Sequence, residues 1–447
     1  MGKESLAACP LGRRILIRRV TDDAASSFPH SFPHSTSPPE SASESAIIGA
    51  RADSGVPTGT CPARTWVEID LEAVRHNCRA AQACLGTDVP GVLAVVKADG
   101  YGLGMVRMAK AMRDLVRAFA VANVTEAMAL RAAGISGPIY ILGPALPGEW
   151  ASVADGGFCA AVSSMAEATG YALVAEKRAQ PLPVHVVVDT GMGRIGCLPE
   201  EAPGLLKYVM ENPWLELDSV ASHYPSADDD ETFTRAQAGQ FEGMLLAWRA
   251  QGLVPAAQQL ANSAGLTGYP VPTGAWARAG LMLYGVSPLP REQHRLRRVV
   301  SWKAAVTLVK HLPADHGVSY GRTFLTTRPT VLAVLGLGYA DGYPRQASGQ
   351  GAQVLLSGHR CPVLGRVTMD QIMVDATDLP DPPSPGDEAV LVGIQGDAEI
   401  TAVELAGWGG TIAWDLFTGL GARVKKCYIG STDTTDPTDP TPPALRA

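Results

Sequence analysis

The chain lacks several features that mark particular protein classes. No apolar run reaches the roughly 20 residues that a membrane-spanning helix requires, so no membrane protein is expected. Positive charge is not in excess: the 447 residues carry a formal net charge of −7, which argues against a nucleic-acid surface. The eight cysteines do not form the close pairs of a zinc site or a small disulfide scaffold. No metal site is therefore expected, and reduced thiols favour a cytoplasmic protein.

Both ends of the chain lack the apolar periodicity of folded elements. Residues 1–63 are rich in serine, proline and histidine, and such a segment cannot bury enough apolar surface to become ordered. Residues 431–447 repeat threonine, aspartate and proline. We interpret the first segment as a disordered N-terminal extension or as the product of an upstream start codon, and the second as a disordered tail.

Residues 64–293 alternate short apolar strands with amphipathic helical stretches. This pattern predicts an α/β fold, a (β/α)8 TIM-like barrel, in which chemistry gathers at the carboxyl ends of the strands. The candidate strands are Trp66–Ile69, Val92–Val96, Ala118–Val121, Ile139–Leu142, Phe158–Val162, Val184–Val188, Leu217–Ser222 and Gln259–Ala261.

From about residue 294 to residue 430 strands and turns dominate. Helical periodicity returns only near residues 402–408 and 415–420. The predicted strands are 299–310, 330–338, 353–356 and 388–392. We therefore expect a separate mainly-β C-terminal domain after the barrel.

Lys97 ends a buried-type apolar strand and is followed at once by a glycine-rich loop, Ala98–Gly104. Burial at such a strand end lowers a lysine pKa and lets the amine attack carbonyl compounds. The backbone N–H groups of the loop could hold a phosphate. Together these features predict a site for pyridoxal 5′-phosphate (PLP). From this segment alone, a strand-end lysine that reaches solvent is an equally good interpretation.

The lysine segment resembles the PLP-lysine motif of the alanine racemase family, and further segments resemble that family's motifs in the same order. These are 64–71 with Asn77, 188–196, Ser222-His223 with Asp228, 262–265, 278–285, 318–321, 338–345 and 365–370. Together they extend over roughly residues 64–428. The resemblance implies a PLP-dependent isomerase that interconverts L- and D-alanine and supplies D-alanine for peptidoglycan. It also implies a homodimer with shared active sites.

Racemisation at Cα needs two bases on opposite faces and an electron sink. The resemblance assigns the bases to Lys97 and to Tyr320 of the partner subunit, and gives His223 and Arg278 supporting roles. Arginine is a pure donor that keeps its proton, so a pyridine nitrogen facing Arg278 should stay unprotonated and form a weaker electron sink. Such a sink should suppress transamination.

The resemblance also assigns the remaining contacts. PLP would be bound by Lys97, Tyr101, Arg194, Asn262, Ser263, Arg278, Gly280, Leu281 and Trp414. The substrate would be bound by Arg194, Met369, Asp370 and Tyr339, the last at the narrowed substrate entry.

Two positions depart from the family pattern near the expected substrate. Val187 stands where many members carry a carbamylated lysine that braces the residue equivalent to Arg194, so another group or a bound anion must act as the brace, or the arginine is looser. Trp414 replaces a tyrosine. These departures keep a racemase for serine, for basic amino acids or of broader specificity as the alternative. A decarboxylase of the same fold would need an acidic group where Arg278 stands, and a PLP carrier with a single barrel would lack the β-domain.

Overall fold

The computed structural model describes residues 63–86 and 91–430. The predicted disorder of residues 1–63 and 431–447 therefore concerns residues that, apart from Ala63, lie outside the described ones. Along the chain the strands are β1 Thr65–Asp70, β2 Val92–Val95, β3 Ala118–Val121, β4 Ile139–Ile141, β5 Cys159–Val162, β6 Leu182–Val187, β7 Leu215–Ala221, β8 Ala257–Gln259, β9 Ala277–Ala279, β10 Val300–Leu312, β11 Gly317–Val318, β12 Phe324–Leu325, β13 Thr330–Leu335, β14 Gln353–Leu356, β15 His359–Leu364, β16 Ile372–Asp375, β17 Glu388–Gln395, β18 Ala398–Ile400 and β19 Lys425–Ile429.

Helices alternate with the strands of the barrel part, as the sequence pattern predicts, and two more lie near residues 402–408 and 415–420. They are α1 Leu71–Cys84, α2 Met105–Met112, α3 Val124–Ala132, α4 Trp150–Asp155, α5 Met165–Arg178, α6 Ala202–Glu211, α7 Glu231–Ala250, α8 Ser263–Gly268, α9 Ala402–Trp408 and α10 Ala413–Thr418. Several begin at a polar residue that accepts a hydrogen bond from the first turn, as Asp70 does for α1 and Asn123 for α3. These caps satisfy backbone N–H groups that the helix itself leaves unpaired.

Eight parallel strands, β2–β9, form the predicted barrel. Their order is β8-β7-β6-β5-β4-β3-β2-β9, and an isolated parallel bridge between Gln259 and Trp276 joins the two ends of this order. Helices α2–α8 separate successive strands along the chain. The barrel strands are buried almost throughout, as expected for a parallel sheet covered by helices.

The sequence prediction was wrong about which eight strands build the barrel. Strand β1, predicted as its first strand, pairs instead antiparallel with β10 and parallel with β19. The strand that occupies the remaining barrel position is β9, which the sequence pattern did not reveal. A three-residue strand with the sequence Ala-Arg-Ala carries too short an apolar signal to be recognised.

The second sheet combines β1 with strands from the C-terminal part of the chain. Its order is β18-β17-β14-β15-β16-β13-β10-β1-β19, with a further pairing between β17 and β10. This mainly-β part confirms the expected fold class, but the sheet also draws on the segment before the barrel. The boundaries predicted at residues 63, 293 and 430 stay a prediction.

The junction between the two parts is fixed by a buried amide. The Asn77 side chain on α1 donates to the Arg297 carbonyl at 2.9 Å and accepts from the Arg297 N–H at 2.8 Å. Asn77 is fully buried, so both bonds form away from water and are costly to leave unmade. They hold the segment leading into β10 against α1. No helix of the described residues is long and apolar enough to cross a membrane.

One histidine lies inside the barrel without a hydrogen-bond partner on either ring nitrogen. His185 on β6 is 1% exposed, and its ring lies 5.5 Å from that of Tyr140. Burial first, and the positive charge of Arg278 second, lower the pKa of His185 to about 3. The imidazole is therefore neutral at neutral pH.

This burial predicts a pH dependence of stability. Below the ordinary histidine pKa of about 6.5 the unfolded chain binds a proton that the folded chain excludes, so stability is lost as the pH falls from about 6.5 towards 3. Each such histidine contributes a slope of up to about 1.4 kcal/mol per pH unit. Between pH 7 and pH 5, we expect the thermal midpoint of unfolding to fall less in His185→Gln than in the unchanged protein. Parallel losses in both proteins would contradict the expectation.

Candidate active site

A cavity of about 760 Å³ opens at the carboxyl ends of the barrel strands. It brings together ten of the residues that the sequence singled out: Lys97, Tyr101, Arg194, His223, Asn262, Ser263, Arg278, Gly280, Leu281 and Trp414. The other four, Tyr320, Tyr339, Met369 and Asp370, do not line it.

Lys97 begins a short helical turn, Lys97–Tyr101, whose other residues are left-handed. Ala98, Asp99, Gly100 and Tyr101 have φ values of 54°, 53°, 63° and 55°. For residues with a Cβ this conformation costs roughly 1–2 kcal/mol each. The turn must therefore be stabilised by contacts from elsewhere in the chain.

Two carboxylates supply part of that stabilisation. Glu126 at the start of α3 accepts from the Ala98 N–H at 2.7 Å, and Asp99 accepts from the Met105 N–H at 2.9 Å. Lys426 on β19 donates to the second Asp99 oxygen at 2.8 Å. Sequence analysis missed Glu126 and Lys426, because the pairing of residues so distant along the chain leaves no local pattern.

The loop after the turn packs closely against the C-terminal segment. A Cβ at Gly102 would lie 2.2 Å from the Phe417 carbonyl oxygen, and one at Gly104 would lie 2.0 Å from the Tyr428 hydroxyl. That hydroxyl donates to the Leu103 carbonyl at 2.9 Å. The glycines of the lysine loop therefore permit the C-terminal segment to approach.

Arg278 lies on β9 and is almost fully buried. Its Nη1 donates to the Gln259 carbonyl at 3.0 Å, and its Nη2 donates to the Ser222 carbonyl and lies 3.2 Å from His223 Nδ1. Because arginine has only donors, His223 must accept through Nδ1 and carry its proton on Nε2. Burial and the neighbouring cations lower the pKa of His223 to about 3, so the ring is neutral.

Ser263, Gly280 and Tyr101 form one wall of the cavity. The Gly280 N–H donates to Ser263 Oγ at 2.9 Å, and a Cβ at Gly280 would lie 2.3 Å from the Tyr101 hydroxyl oxygen. The Tyr101 ring packs at 4.5 Å on Tyr284. Burial raises the pKa of Tyr101 to about 12, so the phenol keeps its proton and can donate. These groups suit a phosphate, which accepts hydrogen bonds only.

Arg194 ends a loop organised by Asp189. The Asp189 carboxylate accepts from the N–H groups of Gly191, Met192 and Gly193 at 2.9–3.1 Å. These hydrogen bonds lower the pKa of Asp189 against the opposing effect of burial. They fix the loop that carries Arg194 to the cavity.

Val187 takes part in an apolar cluster at the cavity wall. It packs with Ala161 and Ala221, and Ile195 lies against the three. The wall beside the Arg194 loop is therefore apolar at this position and offers no carboxylate-like acceptor.

Three cations, Lys97, Arg194 and Arg278, line the cavity, and the carboxylates of Asp189, Asp228 and Asp415 line it too. Burial first, and the charge of Arg194 second, lower the pKa of Lys97, while Glu126 opposes the shift. The same two causes lower the pKa of Arg278 to about 10. The three cations and the hydroxyl and N–H donors beside them can bind anionic groups of a ligand. A phosphate and a substrate carboxylate are such groups, and so the residues present fit PLP.

All four residues outside the cavity are exposed on the β-domain. Tyr320 is 71% exposed, Met369 53% and Tyr339 40%. Asp370 is exposed too and forms an ion pair with Arg423 at 2.8 Å. Their exposure leaves them available to another molecule.

Comparison with known proteins identifies the family. The profile "Alanine racemase, N-terminal domain" matches residues 69–288, and "Alanine racemase, C-terminal domain" matches residues 299–428. The chain belongs to the alanine racemase family. It is 42% identical over 374 residues to the alanine racemase of Symbiobacterium thermophilum, covering 82% of this chain and 98% of that relative.

Solved alanine racemases share the fold. The enzyme from Streptomyces lavendulae is 35% identical with a TM-score of 0.77, over 83% of this chain and 98% of that chain. The Bartonella henselae alanine racemase, described with covalently bound pyridoxal phosphate, is 30% identical with a TM-score of 0.74, over 82% of this chain and 100% of that chain. These matches confirm the family predicted from the motifs.

The proximity of these cations predicts that the charge of Arg194 lowers the pKa of Lys97. Replacing Arg194 by methionine removes a neighbouring positive charge, so the pKa of Lys97 should rise towards its ordinary value. Labelling of Lys97 in the apoprotein with an amine-selective reagent, followed across pH by mass spectrometry, should show the inflection at higher pH. Arg235→Met on the exposed face of α7 is the control. An inflection that does not move would contradict the expected coupling.

Proposed function

We propose that the chain is a PLP-dependent alanine racemase that interconverts L- and D-alanine by a two-base mechanism. Family membership and 36–42% identity to several alanine racemases support this activity over a racemase for other amino acids. The observation that carries the cofactor proposal is the combination of a strand-end lysine with lowered pKa and a cavity lined by hydroxyl and guanidinium donors.

Each group has a role that its geometry supports. The phosphate would be held by Tyr101, Ser263 and the backbone at Gly280 and Leu281, with Asn262 and Trp414 beside it. Arg278 would face the ring nitrogen. PLP, when bound, withdraws electrons from the substrate Cα–H bond and so acidifies it. Lys97 is unprotonated more readily than an ordinary lysine and can then take or return the proton at Cα.

The second base in this proposal is Tyr320 of the partner subunit. A phenol with a pKa near 10 needs stabilisation of its anion to act at neutral pH. The proton on His223 Nε2, fixed by the Arg278 contact at Nδ1, can be donated to that phenolate oxygen. The substrate carboxylate would meet Arg194 from this chain and Met369, with Asp370 and Tyr339 nearby, from the partner.

The proposal also includes the oligomeric state of the protein and its location in the cell. A homodimer would bring the exposed Tyr320 surface of one subunit to the cavity mouth of the other, and D-alanine would be supplied in the cytoplasm for peptidoglycan.

Lys97→Ala tests the cofactor role. We expect loss of covalent retention of PLP after denaturation of borohydride-treated protein, and loss of racemisation by at least about a hundredfold. Mass spectrometry of the denatured chain and a coupled D-alanine assay provide the measurements. Lys110→Ala on α2 is the control and should keep both properties. A variant that lacks Lys97 yet retains covalent PLP and activity would refute the proposal.

Subunit mixing tests the shared site. Lys97→Ala and Tyr320→Phe should each be inactive as homodimers, and exchange between them should create dimers with one site that carries both residues. We expect up to about a quarter of the normal activity per mixed preparation, since half of the dimers are mixed and each has one intact site. Demonstrated subunit exchange without recovered activity would place both bases in the same subunit.

A further inference from the structure

A chain of hydrogen bonds leads from Arg278 through the barrel interior to a carboxylate on β7. Arg278 Nη1 donates to Gln259 Oε1 at 3.2 Å, and Gln259 Nε2 donates to Ser219 Oγ at 2.7 Å. Ser219 Oγ then donates to Asp218 Oδ2 at 2.9 Å. Gln259 and Ser219 are both 0% exposed. The catalytic roles proposed above use neither of them, nor Asp218.

The direction of these bonds is set at the Asp218 end. An ionised carboxylate only accepts hydrogen bonds, so the Ser219 hydroxyl must donate its one proton to Asp218. The lone pairs of the Ser219 hydroxyl then face Gln259, so Gln259 must donate to them through its NH₂ group. The Gln259 carbonyl oxygen is thereby left facing Arg278, which has only donors and needs an acceptor there.

Without the carboxylate the order can reverse. The Ser219 hydroxyl could then donate to the Gln259 oxygen, and a rotated amide would present its NH₂ group to Arg278. Two donors would face each other in a buried place, so Arg278 would have to move or lose a partner. The other Arg278 acceptors named above are backbone carbonyls and His223 Nδ1, so the Gln259 side chain is the acceptor whose direction a change at Asp218 can reverse.

The backbone at Asp218 is irregular in a way that serves this arrangement. In the pairing of β6 with β7, Val184 faces Leu217 and His185 faces Ser219, so Asp218 is the extra residue of a β-bulge. A bulge can turn two successive side chains to the same side of a strand. Here the bulge lets the adjacent residues Asp218 and Ser219 take successive places in one chain of hydrogen bonds. The Tyr140 hydroxyl also donates to Asp218 Oδ2, at 2.6 Å.

We propose that Asp218 is a positioning residue that orients the Gln259 amide through Ser219 and so fixes Arg278 at the cofactor cavity. The inference rests on the proposed function in that Arg278 is taken to meet the PLP ring. Asp218 itself touches neither substrate nor cofactor, and it acts by hydrogen-bond direction rather than as a direct ion-pair partner of Arg278.

The test measures the dissociation constant of PLP from the apoprotein by equilibrium dialysis. Asp218→Ala should weaken PLP binding about tenfold, the effect of one misdirected hydrogen bond to a charged group. Ser219→Ala should weaken it by a similar factor, and the double variant should be no weaker than either alone, because both break the same chain. Tyr140→Phe removes the other donor to the same carboxylate oxygen and should stay within about twofold of the unchanged protein.

A second background separates orientation from general damage. In Gln259→Glu the side chain accepts on both oxygens, so Arg278 has its acceptor whatever Ser219 does. Asp218→Ala frees the Ser219 proton for the second oxygen of that carboxylate, so it should not weaken PLP binding in this background. An equal loss in both backgrounds, or a loss with Tyr140→Phe as large as with Asp218→Ala, would overturn the proposal.

Structural and functional failures can be told apart. Crystal structures of Ser219→Ala and of the unchanged protein should differ in the distance between Arg278 Nη1 and the Gln259 side chain, and an unchanged distance would also overturn the proposal. If Asp218→Ala fails to fold, Ser219→Ala carries the same test. Failure of the unchanged protein to bind PLP would refute the proposed function, whereas normal binding in Asp218→Ala would refute only this inference.

Discussion

The crowding of cations at one barrel mouth is the constraint on which the site depends. Lys97, Arg194 and Arg278 line a single cavity, and the charge of Arg194 lowers the pKa of both other groups. Arg278 is compensated by backbone carbonyls and neutral side chains rather than by a carboxylate within the described residues. Asp189, Asp228 and Asp415 line the same cavity, but backbone N–H groups bind Asp189 and no described carboxylate bonds to Arg278, so these cations can still bind an anionic ligand. A phosphorylated cofactor and an amino-acid carboxylate supply such anionic groups together.

The backbone that presents Lys97 is strained, and its neighbours compensate for the strain. Three residues with a Cβ adopt left-handed φ values after the lysine, at a cost of roughly 1–2 kcal/mol each. Hydrogen bonds to the Glu126 and Asp99 carboxylates, and the exposed ion pair of Asp99 with Lys426, offset part of this cost. Lys426 lies on the strand paired with β1. The lysine loop, the barrel and the second sheet are thus stabilised together.

The sequence could predict the barrel and the mainly-β part from the pattern of strands and helices, and it could predict the ten residues that meet at the cavity through the resemblance to the alanine racemase family. It could not show that β1 leaves the barrel, since an apolar strand looks the same in either sheet. It could not reveal β9, which is three residues long. The Gln259, Ser219 and Asp218 contacts were also out of reach, because they depend on a β-bulge and on pairing between strands distant in sequence.

The groups that line the cavity also bear on where a second base must come from. His223 and His185 have pKa values near 3, so neither is a competent base towards a Cα proton at neutral pH. The Asp189 carboxylate is occupied by backbone N–H groups. Asp228 and Asp415 also line the cavity, but a carboxylate is a much weaker base than an amine, so Lys97 is the strong base among the described lining residues. The two-base mechanism proposed above requires a second base on the opposite face of the substrate, and in that proposal the exposed Tyr320 on the β-domain of a second subunit supplies it.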